Sequence, residues 1–191
     1  RGDAAIIAFV VGSAALAESG LRIIGAHTDS PGLRIKPRPA EEVGGMVRLG
    51  VEVYGGPILA TFADRDLSLA GRVNVRTPDG FATRLVSFAD PLLRLPNLAI
   101  HMNREVNESG LKFNKQSELP LLLGVAEEGV KADARFRQPI AAALGVEPGD
   151  LLTLELNAYD TQKGSLWGAD REFNADSQLD NLASCHAALN A

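Results

Sequence analysis

The stretch "GAHTDSPGLRIKP", residues 25–37, joins two kinds of sequence. Ahead of it, Ala4–Val11 and Leu21–Ala26 are short apolar runs rich in Ile and Val, with no alternation. Runs of that kind fit strands buried on both faces, in a sheet covered by helices. Behind it the pattern is strict alternation, Val47, Leu49, Val51 and Val53 on one side against Arg48 and Glu52 on the other. That is the signature of a strand with one wet face, which belongs to antiparallel sheets.

The alternation recurs. Leu67, Leu69, Gly71, Val73 and Val75 predict a second such strand, and "TPDG" at 77–80 turns it into a partner over Phe81–Ser87. "LAI" before His101 and "LPLLLGVA" from Leu119 predict two more short strands joined by a polar loop. In "RQPIAAALGVEPGD", Pro139 suits the first turn of a helix and Gly145 its end. Leu152, Leu154 and Leu156 alternate again, and Leu182, Cys185 and Leu189 form a helical stripe just after "SQLDN". The pattern changes near Pro37 and near Tyr159. Residues 1–37 and 159–191 therefore read as pieces of one α/β domain, interrupted by an antiparallel β-rich module at 38–158.

Composition bounds the function. Apolar residues make up 46% of the chain and charged residues 23%, an ordinary globular balance that excludes disordered and fibrous classes. The formal charge is −5 and the basic residues are scattered. Nucleic acid and acidic membranes both need a concentrated positive surface, so neither is expected as a partner. A single cysteine, Cys185, rules out an internal disulfide and suits a reducing, cytoplasmic setting. The uncharged run Ala4–Ala17 imitates a signal peptide, but Asp3 spoils its basic flank and Gly12-Ser13 interrupt it. With no initiating Met and a periodic segment still running at Ala191, the sequence is expected to be a piece of a longer protein.

His27 ends an apolar run, where open α/β sheets place their ligands. Asp29 two residues on shares its face if the strand persists. A carboxylate beside a ligating imidazole fixes the ring tautomer, so the pair suits a metal site, and equally a polar strand end through Ser30-Pro31-Gly32. Asp180 in "SQLDNLAS" reads either as a helix N-cap or as a metal-bridging carboxylate. Asp64-Arg65-Asp66 reads as a charged turn with Arg65 available to pair locally or across a subunit interface, and it receives no catalytic role. Cys185 and His186 are adjacent on a helix and point apart, so they are no nucleophile and base pair; Cys185 is placed in the core. "NES" at Asn107 matches a glycosylation acceptor and is given no weight without a secretion signal.

Taken together, "GAHTDSPGLRIKP", "YGGPILATFADRDLSLAGRV", "LAIHMNREVNES" with "KFNKQ", "YDTQ" and "LDNLASC" resemble, in order, the motifs of the aspartyl aminopeptidase family of dinuclear zinc metallopeptidases. The resemblance runs from "IIAFVVG" to the end. It implies a zinc-exopeptidase-like α/β catalytic domain interrupted by an oligomerisation domain that builds dimers and then a tetrahedral dodecamer. It makes His27 a metal ligand, Asp29 a catalytic residue that clamps it, and Asp180 a bridge between two Zn2+ ions. The bond from Asp180 to Asn181 is implied to be cis. His101 matches a residue that reaches a neighbouring subunit's active site to assist substrate binding. The implied substrate is a peptide with an N-terminal Asp or Glu.

The chain also departs from the family. "PILATFA" after "YGG" replaces an aromatic-rich run. The family's general base, a Glu of a Glu-Glu pair, and its remaining ligands fall beyond residue 191. The 191 residues alone are thus expected to be inactive, and the parent protein to be the enzyme. The competing expectation is a non-catalytic oligomerisation or interaction module with incidental metal binding.

Overall fold

The computed structural model describes residues 5–191. In chain order its elements are α1 (Leu16–Ser19), β1 (Gly32–Val43), β2 (Met46–Tyr54), β3 (Leu67–Thr77), β4 (Gly80–Ser87), α2 (Val106–Ser109), β5 (Leu121–Val125), α3 (Ala132–Leu144), β6 (Leu151–Asp160), β7 (Ser165–Trp167), β8 (Phe173–Ala175) and α4 (Leu179–Leu189). The chain divides into two compact units. Pro31–Lys163 form one; the described residues up to Ser30 with Gly164–Ala191 form the other.

Within Pro31–Lys163 a six-stranded sheet runs β4-β3-β6-β1-β2-β5, and every named pair is antiparallel. The alternation in the sequence becomes a buried face: Leu33, Ile35, Val47, Leu49, Val51, Leu69, Val73 and Leu156 lie in the core. Helix α3 packs on that side against β1, β2 and β4, and buries Phe136, Ile140 and Ala141. The opposite face carries polar pairs. Arg72 Nη2 meets Glu155 Oε2 at 2.5 Å, and Asn74 Nδ2 donates to Thr153 Oγ1 at 2.8 Å.

Isolated bridges Leu67↔Leu93 and Arg94↔Leu122 let residues 93–95 link the start of β3 to β5. "DRD" works as a pin beside this link. Arg94 donates to Asp66 Oδ1 at 2.6 Å and to the Asp64 carbonyl at 2.7 Å, while Arg65 bonds Gln162 Oε1 and lies 3.6 Å from Asp160. Arg65 thus pairs within the chain, with residues at the end of β6 and just after it and not with its sequence neighbours.

Several expectations are corrected. Strand β1 starts at Gly32 and continues through Pro37, so the change of pattern there falls inside a strand. Between Ile35 and Ala40 its register on β2 shifts, and Pro37 and Pro39, which have no N–H to give, sit in that interruption. "LAI" is not a strand: Ile100–Met102 form a turn, and the bridges fall on Leu93–Leu95 instead. Helix α3 begins at Ala132, with Pro139 in its interior and not in its first turn. Its end is as read: Gly145 is left-handed at φ 63°, and its N–H reaches the Ala141 and Ala142 carbonyls. In β6, Leu152 is exposed because the register on β3 slips between Asn74 and Val75.

The largest correction concerns the other unit. Ala4 lies outside the described residues; residues 5–11 and 21–26 form no strand and are exposed, Val10 at 96% and Ile23 at 85%. A run apolar on both sides becomes a strand only between neighbouring strands and under helices, and among the described residues this unit contributes only the one-turn helix α1, the β7-β8 hairpin and α4. Trp167 and Phe173 pair across that hairpin with ring centroids 4.7 Å apart. No helix among the described residues is long and apolar enough to cross a membrane.

Candidate functional site

The two motifs that could carry chemistry lie in the same unit. His27 and Asp29 sit in an extended segment ahead of β1, and Asp180 sits in the first turn of α4. The imidazole is held from one side. Its Nδ1 is 2.9 Å from the Asp29 carbonyl oxygen and 3.5 Å from Asp29 Oδ1. The carbonyl oxygen can only accept, so Nδ1 is the donor, and in the neutral ring Nε2 then carries the lone pair. That Nε2 lies 3.5 Å from Asp180 Oδ1.

Asp180 is not the N-cap of α4. Gln178 holds that position without a side-chain cap bond, and Asp180 (φ −88°, ψ 107°) and Asn181 (φ −118°, ψ 24°) leave the helical region. The Asp180–Asn181 peptide bond is cis, as the resemblance implies. Two contacts tie the motifs together. Ser30 Oγ donates to the Asp180 carbonyl at 3.3 Å, and Cys185 Sγ donates to the His27 carbonyl at 3.3 Å. Cys185 is therefore half-exposed at the site and not a core residue. Neither contact was legible beforehand: Ser30 read as a turn residue and Cys185 as one position of an apolar stripe.

The donor set can be tested against zinc. A neutral imidazole nitrogen and a carboxylate oxygen bind Zn2+ at about 2.0–2.2 Å, and two such donors on a tetrahedral ion stand roughly 3.4 Å apart. The observed 3.5 Å matches that spacing. A lone pair facing a carboxylate at this distance is repulsive unless a proton or a metal cation stands between them. The Asp180 side chain is 95% exposed, so water and ions reach it freely. The type and approach of the donors fit zinc; their number does not complete a site, since no group of three or more His, Cys, Asp or Glu suited to a metal occurs among the described residues.

His101 lies in the Pro31–Lys163 unit, in the turn closed by the Met102 N–H to the Ala99 carbonyl at 2.8 Å, and is exposed. Asp64 and Asp66 are engaged by Arg94 and by the Asn97 N–H, as a structural turn would be.

Residues 1–191 match the family described as aminopeptidase I zinc metalloprotease (M18). The chain belongs to the M18 family of zinc aminopeptidases. It is 47% identical over 195 residues to a probable M18 family aminopeptidase 2 of Ectopseudomonas mendocina, and 48% identical to one of Stutzerimonas stutzeri; each match covers all of this chain. The chain spans 45% of the length of these curated relatives. Among solved structures, the cryo-EM structure of the Ape4 and Nbr1 complex matches 83% of this chain and 33% of its own, at TM-score 0.74 and 38% identity. Chaetomium thermophilum mApe1 matches 83% of this chain and 38% of its own, at TM-score 0.72 and 30% identity. The Saccharomyces mApe1 dodecamer shares the fold at TM-score 0.64 and 23% identity, over 86% of this chain and 39% of its own. The mixed α/β build with an antiparallel sheet is thus that of M18 aminopeptidases.

Proposed function

We propose that the full-length M18 protein is a metal-dependent aminopeptidase that removes N-terminal Asp or Glu from peptides, and that this chain supplies two of its metal ligands and its assembly module. The approach of His27 Nε2 to Asp180 Oδ1, 3.5 Å between residues from opposite ends of the chain, carries the reading. His27 would hold the metal through its imidazole Nε2. Asp180 would hold it through its carboxylate, whose two oxygens would also allow a second Zn2+ ion. Asp29 holds the His27 ring in the tautomer that leaves Nε2 free, and Ser30 and Cys185 fix the backbone on either side. Zinc, when bound, supplies a Lewis acid that polarises a peptide carbonyl.

The unit that carries His27 is the catalytic piece, and Pro31–Lys163 is the oligomerisation module that brings His101 to a neighbouring subunit's substrate. The preference for an acidic first residue and the assembly into dimers and dodecamers rest on the family resemblance. A cytoplasmic setting is part of the proposal, supported by the lone Cys185.

The competing reading, an assembly module without catalysis, draws on one observation: the described residues offer no complete metal cluster. Hydrolysis of aspartyl and leucyl peptides by the full-length protein, with and without a chelator and beside His27→Ala, separates the two. Loss of hydrolysis with chelator and in the variant is expected. Equal rates in every arm would remove the peptidase reading.

A further inference from the structure

The run "KPRP", residues 36–39 of β1, stands where the β1-β2 ladder comes apart. Ile35 pairs with Val51 and Ala40 with Leu49, so these four residues face Gly50 alone. Extra residues in one strand bend it away from its partner and re-aim its side chains, and such bulges gather beside functional sites. The two prolines stiffen this one, since each fixes its own φ and neither has an N–H to give to the ladder. Pro39 is buried, Lys36 half-buried and Arg38 exposed. Lys36 and Arg38, two residues apart in an extended segment, share one side of it.

The bulge walls a cavity of about 210 Å³, lined by Lys36 and Arg38 from β1, Gly50 from β2, and Lys115 and Gln116 from the loop before β5. Gly50 puts no side chain into it; a Cβ there would touch Lys36 Cδ at 3.4 Å. Lys115 is presented by a turn closed on itself. Asn114 Oδ1 accepts from the Gln116 and Ser117 N–H groups at 3.0 and 3.2 Å, and the Glu118 N–H reaches the Asn114 carbonyl at 2.9 Å. Three cations thus share one small space, and no carboxylate answers them. Among the described residues the side chains of Lys36, Arg38 and Lys115 make no ion pair or hydrogen bond, whereas Arg72, Arg94 and Arg137 of the same unit are all taken up by carboxylates. Glu41, which also lines the cavity, is held by Arg48 Nε at 2.8 Å. Glu118, in the turn that presents Lys115, accepts from the Asn114 N–H at 2.5 Å. In a chain of formal charge −5 this is a local reversal of the field, and like charges that repel across a cavity are relieved by an anion between them.

We propose that this cavity is a binding site for a small oxyanion of the phosphate class, the free ion or the phosphate group of a small ester, held by Lys36, Arg38 and Lys115. Its volume lies below the roughly 300–1,000 Å³ of pockets that take drug-sized ligands, so it suits an ion or a head group. Arg38 brings the planar fork of N–H donors that matches phosphate oxygens, and the two lysines bring point charges. Every lining residue belongs to Pro31–Lys163, so the proposal stands independently of the zinc reading.

The test is calorimetric titration of the full-length protein with inorganic phosphate and, separately, with O-phosphoserine, in chloride buffer of matched ionic strength. It is repeated on Lys36→Ala, Arg38→Ala and Lys115→Ala, and on Lys131→Ala as a cation of the same unit that does not line the cavity. Far-ultraviolet circular dichroism checks that each variant keeps its sheet. Saturable binding of phosphate is expected, weakened about tenfold or more by each cavity variant, since each removes a charged hydrogen-bond donor. Lys131→Ala is expected to bind as the wild type does. Comparable binding of phosphoserine assigns the site to a phosphate head group, and binding of phosphate alone assigns it to the free ion; both uphold the proposal. No saturable binding of either probe up to about 10 mM overturns it. Equal affinity in all the variants overturns it too, by showing an adventitious ion only or one bound elsewhere, the metal centre included. So does an equal loss in Lys131→Ala, which would reduce the effect to net charge.

Discussion

Gly71→Ala probes the sheet at its most crowded point. Gly71 pairs with Leu156 on one side and Val86 on the other. A Cβ there would stand 2.0 Å from the Glu155 carbonyl oxygen and 2.9 Å from Leu156 Cα, both backbone atoms that no rotamer change can move. Non-bonded heavy atoms settle at about 3.5 Å, so β6 would have to retreat by about 1 Å or more. That displacement loosens two or so ladder bonds at about 1 kcal/mol each and the packing around fully buried Leu156. The expected loss is about 2–4 kcal/mol. Gly50→Ala is the control: its Cβ meets Lys36 Cδ at 3.4 Å and the Pro39 oxygen at 3.6 Å, ordinary contacts. It should change stability by no more than about 1 kcal/mol. Urea unfolding followed by tyrosine fluorescence reads the right unit, because Tyr54 and Tyr159 both belong to Pro31–Lys163 while Trp167 lies in the other. With a slope of about 2 kcal/mol/M, Gly71→Ala should lower the midpoint by roughly 1–2 M. Equal midpoints for the two variants would refute the packing argument.

Other outcomes follow from the same structure. Asp29→Asn in the full-length protein should cost about 10–100-fold in metal affinity or activity, since it weakens the clamp on His27 without removing a ligand; calorimetric zinc titration beside peptide hydrolysis measures both. Phe136→Ala empties a 1% exposed site between α3 and the sheet and should cost about 3–5 kcal/mol in the same urea assay. Arg84→Ala removes the guanidinium from the Leu144 carbonyl and its favourable place at the negative end of α3, a loss of about 0.3–1 kcal/mol in thermal unfolding.

The half-wet sheet was readable where a strand writes its burial as alternation: Val47, Leu49 and Val51 of β2 point inward in the structure as in the pattern. Elements without such a code were misread. Helix α3 starts at Ala132 after Lys131, which makes no side-chain cap bond, so no residue type announced its beginning. Strand β1 was hidden by Pro37 and Pro39, which ordinarily argue against a strand. Leu152 broke alternation through a register slip that depends on β3, a partner some 80 residues away. At the candidate site, spacing along the chain brought out His27 and Asp29 and left their role open. The approach of Asp180 could not be derived from local pattern at all, because it depends on the long-range return of the chain; the motif resemblance pointed to it.

The small bridges at Leu93–Leu95 have a consequence for how the larger unit comes apart. By joining β3 to β5 they close β3, β6, β1, β2 and β5 into a ring, so no strand of that ring can peel away alone. Amide exchange at Leu67, Leu93 and Leu122, whose hydrogen bonds make the closure, should then proceed only by cooperative opening of the whole ring. The tip of the β3-β4 hairpin, which lies outside the ring, is free to fray by itself.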